Sequence, residues 1–246
     1  MLSEVLAEVK TYPRTSLSSI MVRKAVTLLS GGLDSAVAAA IAVSEGYQVH
    51  ALTVDYGQRH LRELDSAKTV AGALGVKEHR ILRVDLTRFG GSALTDRNID
   101  VPETRQSGEI GTDIPATYVP ARNTVFLGLG LAWAEALDAD AVFIGAHSVD
   151  YSGYPDCRPE FIDAFRRVSA LGTRRGVEGR PISIEAPLIR MGKREIIERG
   201  RALKVPFELT WSCYLGGEKA CGRCDSCTIR RKAFAEAGLE DPIEYE

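Results

Sequence analysis

One junction constrains the architecture more than any other part of the chain. Residues 26–29 make a short apolar run that ends in Ser30-Gly31-Gly32, and an Ala-rich helical run over 34–44 follows at once, stopped by Gly46. The order then repeats: a strand over 49–54 ending in Asp55-Tyr56-Gly57, a helix over 61–74 stopped by Gly75, and a strand over 79–84. This β-α-β-α-β alternation predicts a doubly wound α/β fold, a parallel sheet with helices on both faces. Helices over 123–137, 159–171 and 193–203 and strands over 141–144 and 182–186 extend the pattern. Between them, residues 88–117 are rich in Gly, Pro, Thr and Asp and read as a long irregular insertion. From Pro206 the composition changes, with Trp211, several glycines and four of the five cysteines crowded together. The expected organisation is an N-terminal extension over 1–20, an α/β domain over 21–205 and a small cysteine-rich module over 206–246.

Ligands of open parallel sheets bind at the carboxyl ends of strands, beside helix N-termini. Ser30-Gly31-Gly32-Leu33-Asp34-Ser35 occupies such a place. Its glycines allow backbone N–H groups to converge on an anion, the helix end adds partial positive charge, and the Ser30 and Ser35 hydroxyls add donors. Asp34 does not suit a pure anion site. It fits either as an N-cap or as a ligand for Mg²⁺ that travels with phosphates. Neither the Walker pattern nor a G-x-G-x-x-G fingerprint is present, so the loop has no P-loop lysine. A tight strand–helix turn with no ligand is the plain alternative for two glycines alone, and the full S-G-G-x-D-S string outweighs it.

The tail WSCYLGGEKACGRCDSC places Cys213, Cys221, Cys224 and Cys227 as C-x₇-C-x₂-C-x₂-C. Four thiolates at this spacing reach one tetrahedral centre, and a closed four-ligand site of this kind is structural Zn²⁺. An iron–sulfur cluster is the alternative, weakened because Arg230 stands where its next ligand would fall. Cys157 lies apart from this set.

Two polar loops also point at the same sheet edge. In Tyr118-Val119-Pro120-Ala121-Arg122-Asn123, Asn123 reads as an N-cap or a ligand contact, and Arg122 offers a guanidinium. In residues 147–158, tyrosines can stack on a planar ring, Asp150 and Asp156 can accept from the donor edge of a guanine-like base, and Arg158 can fork onto a carboxylate. His147 reads as structural, and Asp55-Tyr56-Gly57-Gln58-Arg59-His60 reads equally as a polar turn or a binding loop.

A hydrophobic share of 45%, a charged share of 26% and a net charge of −2 describe a globular chain without the basic surplus of a nucleic-acid binder. The pairs Arg174-Arg175 and Arg230-Arg231 read as solvated faces. No apolar run is long enough to span a bilayer. Glu4 and Glu8 stand where a secretory leader would be basic, while Leu2, Val5, Leu6 and Val9 share one helical face. The expected compartment is the reducing cytoplasm, where cysteines bind metal more often than they form disulfides.

The loop string resembles the PP-loop of ATP pyrophosphatases, which cut ATP between its α- and β-phosphates and adenylate a substrate oxygen. That likeness makes the missing lysine intelligible and marks Lys193, in PLIRMGKREII, as a supplier of positive charge. Together SGGLDSA, DYGQRH, YVPARN, GAHSVDYSGYPDCRPEFI, APLIRMGK and WSCY…CGRCDSC, in that order from about Val22 onward, resemble the 7-cyano-7-deazaguanine synthases. The resemblance implies ATP-dependent conversion of 7-carboxy-7-deazaguanine and ammonia to the nitrile in two rounds of adenylation, on the route to queuosine. It implies ATP along Leu29, Ser30, Gly31, Gly32, Leu33, Asp34, Ser35, Ala36, Val37, Ala38 and Ala39, with Ser30, Asp34, Ser35 and Lys193 catalytic. It implies the deazaguanine on Tyr118, Arg122, Asn123, Asp150, Tyr154, Asp156, Arg158 and Phe161, and Zn²⁺ on the four tail cysteines. ATP, Mg²⁺ and Zn²⁺ are the implied cofactors, free ammonia the nitrogen source, and a homodimer the implied assembly, with neither nucleic acid nor membrane as partner. The rivals are another PP-loop enzyme, such as a tRNA thiolase, and a zinc-ribbon adaptor with a degenerate nucleotide fold.

Overall fold

A computed structural model describes residues 22–103, 114–147 and 153–246. Five strands make one parallel sheet in the order β3-β2-β1-β4-β5: β1 (Lys24–Leu28), β2 (Gln48–Asp55), β3 (Glu78–Arg83), β4 (Ala141–Phe143) and β5 (Ser183–Glu185). The helices are α1 (Leu33–Ser44), α2 (Arg62–Ala73), α3 (Arg122–Ala136), α4 (Pro159–Gly172), the single turn α5 (Arg174–Val177), α6 (Lys193–Ala202) and α7 (Asp225–Glu236). The chain winds outward through β1, β2 and β3, then returns past β1 to place β4 and β5 on its other side. The reversal opens a crevice between the carboxyl ends of β1 and β4.

Period-two side-chain alternation builds a core on each face of the sheet. Ala25 of β1 faces one core, made with α1, α2, α6 and α7 through Val37, Ala67, Ile196, Ile197, Ala233 and Phe234. Val26 and Leu28 face the other, made with α3 and α4 through Leu127, Leu131, Ile162 and Phe165. A third, smaller core gathers the four tail cysteines, Trp211 and Ala220 with Ala93 and Val101. The tail also reaches the first core: Phe207 and Phe234 meet edge to face at 5.4 Å. Gly200 lets α6 lie close to α1, since a Cβ there would sit 2.8 Å from Val37 Cγ2 and 2.5 Å from Phe207 Cζ.

The observed elements agree with those expected from periodicity to within two residues at each end, and the double winding is as predicted. The expected insertion over 88–117 is irregular where described, holding only a 3₁₀ turn at Thr87–Phe89, which overlaps its start. Arg59 pins its first part by donating from its guanidinium to the carbonyls of Ala93, Asp96 and Ile99. The N-terminal segment and Asp150 lie outside the described residues.

The two basic pairs correct the sequence reading. Arg175 is buried and donates to Asp140 Oδ1 and to the Ala139 carbonyl, tying α5 to the end of α3. Arg230 is buried too. It forks onto Asp241 at 2.8 and 2.9 Å and donates to Thr210 Oγ1 and the Phe207 carbonyl. In each pair one arginine is an internal strut, because a guanidinium's planar fork can satisfy several buried acceptors at once.

Candidate active site

Gly31 sits at φ +87°, and a Cβ there would lie 2.3 Å from the Glu63 carbonyl oxygen, so only glycine lets the loop pack on α2. Ser35 Oγ donates to the Gly32 carbonyl at 2.9 Å and accepts from Ser30 N–H at 3.1 Å. With its proton committed, Ser35 accepts the Ser30 hydroxyl across 3.0 Å, and Ser30 Oγ accepts Gly32 N–H at 3.3 Å. The two serines thus fix the loop's shape as well as lining the cavity beyond it. Gly32 precedes α1 without a side-chain cap, which leaves first-turn amides of α1 to an incoming anion.

Asp34 is the second residue of α1 and not its N-cap. Its Oδ2 accepts from Lys193 Nζ at 2.5 Å and lies 3.6 Å from Nε2 of the buried His147. Burial works against the carboxylate, but the charges of Lys193 and then His147 prevail and hold it well below the usual carboxylate range. Among the described residues no donor reaches its buried Oδ1. Gly145 brings the end of β4 against this turn, where a Cβ would sit 2.9 Å from Ser35 N. His147, read from sequence as structural, therefore stands beside the charged pair because of that approach.

The cavity at the switch point is lined on the loop side by Leu29, Ser30, Gly32, Leu33, Asp34 and Ser35. Arg122, Asn123, Tyr154 and Cys157 line it as well, as do Tyr56, Glu63, Phe126, Trp211 and Tyr214. Arg122 enters because Ala121 adopts φ 52° ahead of α3, and its guanidinium carbon lies 5.8 Å from the ring centres of both Tyr56 and Phe126. Burial, with Arg122 pulling back and Cys213 adding to the rise, pushes the Glu63 carboxyl up to about 7. Burial and the neighbouring Glu63 push the Tyr56 phenol up to about 12.

Several expected contacts take other parts. Ala36, Val37, Ala38 and Ala39 are buried in the first core, so they seat the loop and present no side chain to a ligand. Gly31 faces α2, away from the cavity lining. Asp156 does not line the cavity; its Oδ2 accepts Asn123 N–H at 2.9 Å and so caps α3 from another loop. Asn123 is inside α3 and not its N-cap, and its Nδ2 donates to the Asp156 carbonyl and to Cys157 Sγ, both at 3.1 Å. Tyr118 accepts Ala121 N–H at 3.0 Å and stands 6.1 Å from the Tyr154 ring, outside the lining. Arg158 is exposed ahead of α4, and Phe161 packs on Phe165, so neither lines the cavity. Tyr154 does, with its hydroxyl 2.9 Å from Thr117 Oγ1. Sequence reasoning missed Glu63, Trp211, Ser212 and Tyr214 as lining residues. Trp211, Ser212 and Tyr214 fall within the WSCY string, which reads as metal-binding, and a glutamate in a helix's first turn is commonplace.

The sulfur atoms of Cys213, Cys221, Cys224 and Cys227 all lie within 4.8 Å of one another and are buried. Amides converge on them: Leu215 and Cys221 donate to Cys213 Sγ at 3.4 Å, and Cys224 N donates to Cys221 Sγ at 3.3 Å. Hydrogen bonding from Cys224 and Cys227 favours Cys213 as a thiolate, while the same sharing pushes Cys224 up to about 12 and Cys227 up as well. Three thiols sharing one negative charge, with the Cys221 sulfur gathered at the same point, fit a dication. The cluster is joined to the loop: Trp211 N–H donates to the Gly31 carbonyl at 2.9 Å, and Trp211 Nε1 donates to the Cys213 carbonyl at 3.0 Å.

A profile of the family described as "Queuosine biosynthesis protein QueC" matches residues 24–238. The 7-cyano-7-deazaguanine synthase of Anaeromyxobacter dehalogenans (strain 2CP-C) is 55% identical over 225 residues, covering 91% of this chain and 96% of that protein. The one from Trichodesmium erythraeum (strain IMS101) is 57% identical over 220 residues, 89% of this chain and 99% of its own. The one from Desulfatibacillum aliphaticivorans is 55% identical over 232 residues, 93% and 99% of the two chains. Among solved structures, NMN synthetase from Francisella tularensis superposes with a TM-score of 0.49 at 18% identity, covering 89% of this chain and 79% of that one, too loosely to argue from. By the profile and these identities, the chain belongs to the QueC family of queuosine biosynthesis proteins.

Proposed function

We propose that the chain is a 7-cyano-7-deazaguanine synthase, an ATP-dependent carbon–nitrogen ligase that turns 7-carboxy-7-deazaguanine and ammonia into the nitrile. The observation that carries the reading is the cavity in which an uncapped helix N-terminus and Asp34, itself paired with Lys193, face Arg122, Asn123 and Tyr154. Pyrophosphate would lie against the loop amides and Lys193, with Ser30 and Ser35 keeping those amides aimed. Asp34 would hold Mg²⁺ through its unpartnered Oδ1, an oxygen whose burial is otherwise uncompensated. Mg²⁺ there would neutralise charge on the polyphosphate as it leaves.

In the first round the substrate carboxylate oxygen attacks the α-phosphorus and pyrophosphate departs. Ammonia then displaces AMP to give the amide. In the second round the amide oxygen is adenylated, and loss of AMP with the nitrogen's protons leaves the nitrile. Arg122 is suited to hold the carboxylate, and Tyr154 to face the planar ring. Held reactants and a good leaving group supply much of the rate in such transfers. The four cysteines would bind Zn²⁺ with no open position, a structural role that thiols keep in a reducing cytoplasm. A tRNA thiolase needs a cysteine free to carry sulfur. Here four are gathered in the cluster, and the fifth, Cys157, is buried against Asn123.

Incubation with ATP, Mg²⁺, ammonium and 7-carboxy-7-deazaguanine should yield the nitrile, read by mass spectrometry. A product that stops at neither amide nor nitrile would sink the assignment. The homodimer expected of the family is tested by sedimentation, where a species of one chain's mass would exclude it.

A further inference from the structure

We propose that Glu63 frees the attacking nitrogen, its carboxylate taking a proton from bound ammonium so that ammonia meets the adenylated carbonyl. The inference rests on the ammonia-dependent ligase reading above. Ammonium is the main form of the nitrogen source at neutral pH, and it carries no lone pair to attack with. Some group in the cavity must therefore receive a proton.

Among the described residues the cavity lining holds two carboxyl groups, Asp34 and Glu63. Asp34 is committed to Lys193 and His147. Of the two other acids expected here, Asp156 caps α3 and Asp150 lies outside the described residues. Glu63 is placed by the first turn of α2, where its carbonyl abuts Gly31, and its side chain shares the lining with Ser30, Gly32 and Asp34. No described residue forms a hydrogen bond or ion pair with its carboxylate. The charged and titratable groups that face it are Arg122 of α3, Tyr56 after β2, and Cys213 of the tail. Burial raises the carboxyl and Arg122 pulls it back, and a carboxylate set between the two can accept a proton and return it. Tyr56, pushed up to about 12, stays neutral and cannot serve as the base.

The step balances simply. Glu63 carboxylate takes one N–H proton from ammonium and becomes the acid. The freed lone pair forms a C–N bond to the carbonyl carbon, and the bond from that carbon to the phosphate oxygen breaks. AMP leaves with that electron pair, and the second surplus N–H proton passes to the departing phosphate or to solvent. Glu63 then returns its proton to solvent.

The test uses Glu63→Gln in the full chain with zinc bound. Carboxylate-dependent exchange of pyrophosphate into ATP, without ammonium, reports the adenylation alone. The exchange should stay within about threefold of wild type, while kcat/KM for ammonium at pH 7 falls by about 10²-fold. Hydroxylamine, whose lone pair is already free at neutral pH, should react with both proteins at similar rates. The variant's ammonium rate should also climb with pH as free ammonia does, where wild type is nearly flat above pH 7. Loss of the exchange in the variant would assign Glu63 to adenylation or folding and overturn the inference, as would an unchanged ammonium rate. Absence of the exchange in wild type would instead sink the ligase reading itself.

Discussion

Gly31 in the nucleotide loop and Gly216 in the cysteine segment are both at positive φ, +87° and +69°, and both pack on the segment 60–63 that opens α2. A Cβ on Gly31 would strike the Glu63 carbonyl, and one on Gly216 would come within 2.2 Å of the His60 ring. The start of α2 is therefore the surface on which two otherwise different turns are moulded. The loop is shaped by its own serines and amides, which hydrogen-bond to one another, with the Asp34–Lys193 pair beside them. The cysteine segment holds crowded thiols that a cation would reconcile, and its amides already point at sulfur. The first turn is held by hydrogen bonds within the protein, and the second would be held by a cation. Trp211 couples them.

The largest effect that would sharpen this contrast lies on the loop side. Asp34→Ala and Ser35→Ala should each lower AMP formation by roughly 10²–10³-fold, the scale of losing a group aimed at transition-state charge. Zinc content should stay close to wild type, and loss of zinc in either variant would break the separation.

On the cysteine side, stripping the metal with a strong chelator should melt the tail, because metal binding at such a site is itself folding free energy. Nucleotide affinity should weaken with it, since Trp211 would release the Gly31 carbonyl. Calorimetric titration with ATP before and after chelation checks this. Unchanged affinity would mean that the two turns are independent.

The two carboxyl groups of the cavity should titrate in opposite senses. Asp34 has its folded pKa held below its ordinary value, so its stabilisation is full above about pH 4 and is lost as pH falls through the folded pKa. Glu63 has its folded pKa raised from 4.5 to about 7, so it costs nothing below pH 4.5 and its cost is full above pH 7. Glu63→Gln should therefore stabilise the ligand-free protein at pH 8 and hardly change it at pH 4. Denaturant unfolding at the two pH values checks the sign. Equal effects at both would remove the buried-acid description.

Tyr154→Phe is the smallest change. It removes the hydroxyl shared with Thr117 and should cost about 1 kcal/mol of stability, leaving the ring to face the substrate. A kcat/KM for 7-carboxy-7-deazaguanine that fell more than tenfold would give the hydroxyl a direct role.

The same contrast explains what the chain discloses in linear order. Strands and helices were legible because their apolar periods are local, and the glycine loop and the cysteine spacing because each lies within one short stretch. Glu63 carries no such mark, and Tyr214 lies in a string that reads as metal-binding. Both reach the cavity because the tail folds back on Gly31 beside the start of α2, while His147 meets Asp34 from the end of β4. Asp156 misled for a related reason: an acid in a polar loop looks like a ligand, and only the tertiary structure shows α3 presenting an amide to it. Arg175 and Arg230 misled in the other direction, because burial of a charge depends on acceptors far away in sequence.

The central claim is that the switch-point cavity cuts ATP at the α-phosphorus and does so twice per nitrile. Phosphorus NMR of a complete reaction, paired with quantitation of the deazaguanine products, tests it directly. The account predicts AMP and pyrophosphate only, in a ratio of two per nitrile formed and one per amide when turnover is stopped at the intermediate. ADP and inorganic phosphate as the nucleotide products, or a single AMP per nitrile, would contradict it.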